Sequence, residues 1–163
     1  MKEVLEQYAS YNVWANQILL KPVLTMDETK LLQIIPGSFN SIRQTVMHIW
    51  DAESIWWQRL KLQEQIIRPS LSTQLSMQEV VNGLIDQSKQ WEVWVKQNKE
   101  TMLEHVFGYH DSKGEYFKNP TWQTIVHLFN HGTYHRGQVV TMLHYLNINR
   151  IPNTDFIAWC RRK

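Results

Sequence analysis

Cysteine is almost missing from this chain: Cys160 is the single one among 163 residues. One thiol cannot close an internal disulfide, and it excludes the Cys-rich zinc modules, so any metal must be held by histidine or carboxylate. Turn formers are scarce as well, with 6 Gly and 5 Pro, which favours long helices over many short strands. No apolar run approaches the roughly 18 residues of a membrane span, and Met1–Ser10 carries Lys2, Glu3 and Glu6 where a signal peptide would be apolar. A cytoplasmic location without a membrane partner is therefore expected. An excess of one charge is also lacking: 17 basic against 15 acidic residues leave +2, too little to suggest a nucleic-acid surface. Arg161, Arg162 and Lys163 read as a solvated tail. What is plentiful is tryptophan and histidine, 8 and 7 residues respectively.

The length suits one domain, residues 1–163. Val4, Tyr8, Tyr11, Ala15 and Ile18 recur at helical spacing and predict a first long helix from about Lys2 to Lys21, with Pro22 at its end. Thr25-Met-Asp-Glu28 reads as a capping box opening a short helix through about Leu32, broken by Pro36-Gly37. Ser41-Ile-Arg-Gln44 is a second box, and Ile42, Val46, Ile49, Trp56 and Leu60 stripe a long helix ending near Leu62. Pro69, Ser70, Ser72 and Thr73 mark a long connection, after which Ser76-Met-Gln-Glu79 caps a helix facing Val80, Leu84, Trp91 and Val95 inward. The segment around Asp111-Ser-Lys-Gly114 predicts a small hairpin. Pro120-Thr121 opens the last long helix, with Ile125, Leu128, Gly132, His135, Val139, Met142 and Leu146 on its apolar face, stopping at Asn147 or Asn149. The expected fold is all-α, an antiparallel four-helix bundle with a long crossover connection.

His127, His131 and His135 lie four apart, which stacks them on one side of a helix. Chance placement of the 7 histidines would give about 0.01 such runs of three. No His-Glu-x-x-His is present, so the zincin arrangement is absent. His131 and His135 can reach one metal, and an open site needs a third ligand from another helix, for which His48 is the best candidate. His105 and His110 fall in the suspected hairpin, and His144 is more than two turns beyond His135. His127 is an alternative ligand, but about 12 Å of helical rise separate it from His135, which assigns it to the surroundings of the site or to the surface.

Three stretches resemble the DinB family of damage-inducible bacterial proteins: Tyr11-Asn-Val-Trp-Ala-Asn16, Ser41-Ile-Arg-Gln-Thr-Val-Met-His48-Ile-Trp50, and His127-Leu-Phe-Asn-His131-Gly-Thr-Tyr-His135-Arg-Gly-Gln-Val139. The likeness continues to Asn153-Thr-Asp-Phe156. It implies a four-helix bundle with a crossover, commonly a homodimer, holding a divalent metal, often zinc or nickel, through three histidines that match His48, His131 and His135. The wider superfamily includes metal-dependent transferases and isomerases using small thiols such as bacillithiol, mycothiol or glutathione. One fold hosts many chemistries, so the reaction does not follow from the fold.

A metal on three histidines could lower the pKa of a bound water or bind a thiol as thiolate, giving a hydrolase-like activity or a thiol S-transferase. In the second case a small thiol attacks an electrophile in a pocket lined by Trp14, Trp50 or Tyr134. Asn12 and Asn16, one turn apart, are expected to bond a ligand, support the site or tie helices together. Arg136 and Gln138 flank the ligands on different sides, and either is expected to pair with a carboxylate such as Asp51, Glu53 or Asp155, Arg136 in a structural salt bridge. Trp56, Trp57, Trp91 and Trp94 are expected to pack the core or an interface. The competing class is a non-catalytic, dimeric metal-binding stress or interaction protein.

Overall fold

The computed structural model describes residues 1–72 and 74–162, so Lys163 of the expected tail lies outside the described residues. The chain is mostly helical: α1 (Lys2–Val23), α2 (Glu28–Leu32), α3 (Ile42–Leu60), α4 (Met77–Gln97), α5 (Glu100–Glu104), β1 (Val106–His110), β2 (Tyr116–Pro120), α6 (Thr121–Tyr145) and α7 (Phe156–Cys160). A 3-10 turn, Pro69–Leu71, lies in the α3–α4 connection. No helix among the described residues is long and apolar enough to cross a membrane.

The helix starts follow their side-chain caps. Ser76 and Glu79 form a complete capping box on α4. On α3, Ser41 Oγ accepts from Gln44 N, but the Gln44 side chain turns back to Asn40 N, one residue further out. The Thr25 box is not formed: Asp27 caps α2 through Lys30 N, and Thr25 instead donates to Pro22 O. Pro22 lies within the last turn of α1, where its missing donor removes one hydrogen bond, and the helix runs on to Val23. α3 stops at Leu60 rather than Leu62, which takes a left-handed φ of 53°. Asn147, at φ 60°, ends α6 in the same conformation, one that asparagine tolerates. The hairpin pairs Val106 with Pro120 through His110 with Tyr116, and its turn places Gly114 at φ 83°.

α1 packs on α4 and α6, and α3 packs on α4 and α6. Contacts set their directions. Ser10 meets Glu92 and Asn16 meets Ser88, so α1 and α4 are antiparallel. His48 meets His131 and Trp56 meets His127, so α3 and α6 are antiparallel. Trp57 meets Trp91 where Glu53 meets Ser88, and Tyr8 meets Phe129 where Asn12 meets Arg136; α3/α4 and α1/α6 therefore run parallel. The antiparallel expectation needs correcting for these two pairs: the connection between Leu60 and Met77 carries the chain back along α3 before α4 begins.

Apolar residues form two separate clusters. One gathers Leu19, Ile42, Val46, Val80, Leu84, Val139 and Leu143, the other Leu5, Ala9, Trp91, Val95, Ile125, Leu128 and Phe129. Between them lies a buried polar layer of Asn12, Asn16, Glu53, Ser88 and Arg136. This layer also corrects the first helix's inward face. Leu5, Ala9, Asn12, Asn16 and Leu19 are buried, whereas Val4 is exposed.

Candidate metal centre

The antiparallel crossing of α3 and α6 brings His48 opposite His131 and His135. His131 Nε2 lies 3.1 Å from His48 Nε2 and 3.1 Å from His135 Nε2. One ligand nitrogen from each ring falls within 4.8 Å of the others, so the three could hold a metal ion. The backbone reason is simple: residues four apart on a helix superimpose one turn above the other, and α3 contributes the third ring from across the groove.

Hydrogen bonding shows why a cation fits this cluster. His135 Nδ1 is 2.6 Å from Gln138 Oε1, an acceptor, so the proton belongs on Nδ1 and the Nε2 lone pair faces the cluster. Gln138 is itself held by its Nε2 donating to Ser38 Oγ at 3.0 Å. His131 Nδ1 is buried with no partner. If His131 carries its proton on Nε2, that one proton serves two neighbouring nitrogens; if on Nδ1, lone pairs face one another. Hydrogen bonds alone leave the three Nε2 atoms short of protons, and a divalent cation accepting their lone pairs would meet that shortage, with the His131 proton then on its unpartnered Nδ1.

Electrostatics keep the rings neutral, as metal ligation requires. Burial pushes His131 down to about 3, reinforced by the charges of His135, His48 and His127. Burial likewise lowers His48 to about 4, with His135 adding to the effect and Asp51 opposing it. His135 is lowered by burial too, partly offset by its bond to Gln138. Phe39, from the loop before α3, stacks on His48 at 4.1 Å between centroids and meets His135 edge-on at 5.6 Å, walling one side.

The other expected residues are dispersed. Asn12 and Asn16 do not reach the histidines. Their carbonyls accept from Arg136 Nη1 at 2.7 and 3.0 Å, and Asn12 Nδ2 donates to Glu53 Oε1 at 2.8 Å. Arg136 is thus linked to Glu53 through amides, and it makes no direct ion pair with Asp51, Glu53 or Asp155 among the described residues. Trp14 packs beside Tyr11 under Arg162, which is exposed as expected of the tail but lies over the indole. Trp50 packs against Gly83 of α4. Neither tryptophan lines the space beside the histidines, because each points to another face of its helix. Tyr134 is 61% exposed and touches His135 only edge-on, at 5.0 Å. His127 is exposed, 5.9 Å from the His131 ring and 5.6 Å from Trp56.

A cavity of about 500 Å³ opens from His48 and His131, lined further by Asp51, Trp56, Arg59 and Arg68. Trp56 packs against the second apolar cluster, as expected, and also forms part of this wall. Phe39, Arg59 and Arg68 carried no spacing signal, since two lie on loops and the third looks like any polar helix position.

A mostly helical protein in which two helices converge three neutral imidazoles beside an open cavity defines a class able to bind a divalent metal ion. The DinB family model matches residues 1–156, and the chain belongs to the DinB family. It is similar to Protein DinB of Bacillus subtilis (strain 168), with 26% identity over 155 residues covering 90% of this chain and 87% of that protein.

Proposed function

We propose that the protein is a cytoplasmic, homodimeric metal-dependent transferase, a one-domain four-helix bundle whose site takes a low-molecular-weight thiol. The observation that carries this reading is the meeting of three histidine Nε2 atoms around His131, at 3.1 Å on both sides. His48, His131 and His135 would hold zinc or nickel. A divalent ion there supplies a Lewis acid that favours a thiol as its thiolate at neutral pH. The chain itself has one cysteine, Cys160, exposed on α7 and remote from these histidines in sequence, so the thiol must come with the substrate. Gln138 fixes the His135 tautomer, Phe39 shields the His48 face from water, and the cavity beside His131 admits the reactants.

The test has two parts. His131→Ala should abolish stoichiometric metal in elemental analysis, while His144→Ala, on an exposed position near the end of α6, should retain it. Metal-loaded wild type mixed with small thiols and model electrophiles should form conjugate faster than metal-free protein. Full metal in His131→Ala would overturn the ligand assignment. Retained metal without conjugation in the wild type would favour the non-catalytic binding module.

A further inference from the structure

The cavity beside the histidines has a second chemical wall. Arg59 lies 4.6 Å from the Trp56 ring centroid and 5.3 Å from that of Tyr109, so two aromatic surfaces hold its guanidinium in place. Its Nε is buried without a hydrogen-bond partner. Arg68 reaches the same cavity from the α3–α4 connection, and that connection is pinned on both sides of it. Buried Gln58 exchanges two hydrogen bonds with the Ile67 backbone, each 2.8 Å, and Asp51 Oδ1 accepts from Ser70 N at 2.9 Å.

Other arginines show the contrast. Arg43 is spent on Glu28 Oε1 and the Leu75 carbonyl, and Arg136, although its Nε is also buried without a partner, spends both terminal nitrogens on Asn12, Asn16 and Thr133. Arg59 and Arg68 form no ion pair among the described residues. The two carboxylates on the cavity wall already brace the chain. Asp51 holds Ser70 N, and Asp111 Oδ1 accepts from Lys113 N and Glu115 N at 2.8 and 2.9 Å. Asp111 lends Arg59 charge support without a hydrogen bond, so among the described residues the wall groups with no hydrogen-bonded partner are the two planar guanidinium forks, which match the paired oxygens of a carboxylate or phosphate.

We infer that Arg59 and Arg68 seat an oxyanion group of the small molecule whose other end reaches His48 and His131. The inference rests on the thiol reading above and narrows it: the preferred cosubstrate carries a carboxylate or phosphate. A cavity of about 500 Å³ lies within the usual range for small-molecule sites. Seating one end of the molecule also orients the other, which is how a small site gains specificity.

Calorimetric titration of metal-loaded protein provides the test, with 2-mercaptoethanol, mercaptosuccinate and thiol-free succinate as probes and inorganic phosphate as competitor. Mercaptosuccinate should bind about tenfold or more tightly than 2-mercaptoethanol, the scale of one charged hydrogen bond. Arg68→Gln and Arg59→Lys should each remove most of that advantage while leaving metal content and 2-mercaptoethanol binding unchanged. Arg68 is exposed, so its variant should fold normally. Whichever of succinate and phosphate displaces mercaptosuccinate more strongly identifies the seated group. Thiol binding that ignores both substitutions overturns the oxyanion seat and leaves the thiol reading standing. Arginine-dependent succinate binding with no response to 2-mercaptoethanol supports the seat and overturns the thiol reading.

Discussion

Replacing Glu53 by glutamine isolates the one fully buried carboxyl group in the polar layer. Burial raises its pKa from 4.5 to about 7, against the opposing pull of the Asn12 and Ser88 hydrogen bonds and the Arg136 charge. The geometry agrees with a proton on this side chain. Ser88 Oγ has one proton to give, yet it lies 2.9 Å from Leu84 O and 2.8 Å from Glu53 Oε2. A protonated Glu53 donates to Ser88, leaving the serine proton for Leu84. Because the folded-state pKa is raised, the contribution to stability is fully present below about 4.5 and is lost as pH rises through about 7. At about 1.4 kcal/mol for each tenfold in proton affinity, the loss between about pH 5 and about pH 8 is about 2.5 kcal/mol. Glutamine reproduces the neutral acid, with Nε2 donating to Ser88, and does not titrate. His48 and His131 titrate the opposite way in metal-free protein, losing stability as pH falls from about 6.5 towards their depressed values, so the wild-type curve alone is ambiguous. The difference between Glu53→Gln and wild type cancels them. Urea unfolding of both metal-free proteins across this range should show the variant gaining about 2.5 kcal/mol relative to wild type as pH rises. A difference that stays constant with pH would refute the protonated carboxyl and favour an ionised Glu53 balancing Arg136.

Two further perturbations probe packing and the support of the metal site. A Cβ on Gly83 would overlap the Trp50 indole, so Gly83→Ala should destabilise by about 2 kcal/mol in denaturant unfolding, and an unchanged midpoint would contradict the α3–α4 contact. Gln138→Ala frees the His135 ring and should weaken metal affinity by about tenfold to 100-fold in chelator competition, with stoichiometry preserved at saturating metal.

The long helices and two working caps, Ser41 and Ser76, were legible because periodicity and capping are local, and the same locality exposed His131 and His135 as a pair on one turn. The choice of His48 needed a second helix and came from elimination among the remaining histidines, which the α3–α6 crossing supports by bringing the three rings together. What could not be read is polar and non-local. The spacing of Asn12 and Asn16 leaves a ligand, the site and a tie between helices all open, and only the last is what their hydrogen bonds make; the first helix's apolar stripe meanwhile runs through Val4, which is 66% exposed. Only when Glu53 of α3 and Arg136 of α6 meet them does burying two asparagines become favourable, since an unpaired buried amide costs more than its helix gains. The same logic hid Arg59 and Arg68: a polar residue on an amphipathic helix and another on a connection look solvated until aromatic rings and a backbone clamp hold them at one cavity. Gly132 joins the two regions. A Cβ there would lie 3.2 Å from both Arg136 Nη1 and Asn12 Oδ1, so a side chain after His131 would press on the polar layer next to the histidine cluster. One turn of α6 thereby carries both functions, with His131 and His135 turned toward α3 and Arg136 toward α1. That is the physical reason for so compact a His-Gly-x-x-His-Arg sequence on a single helix.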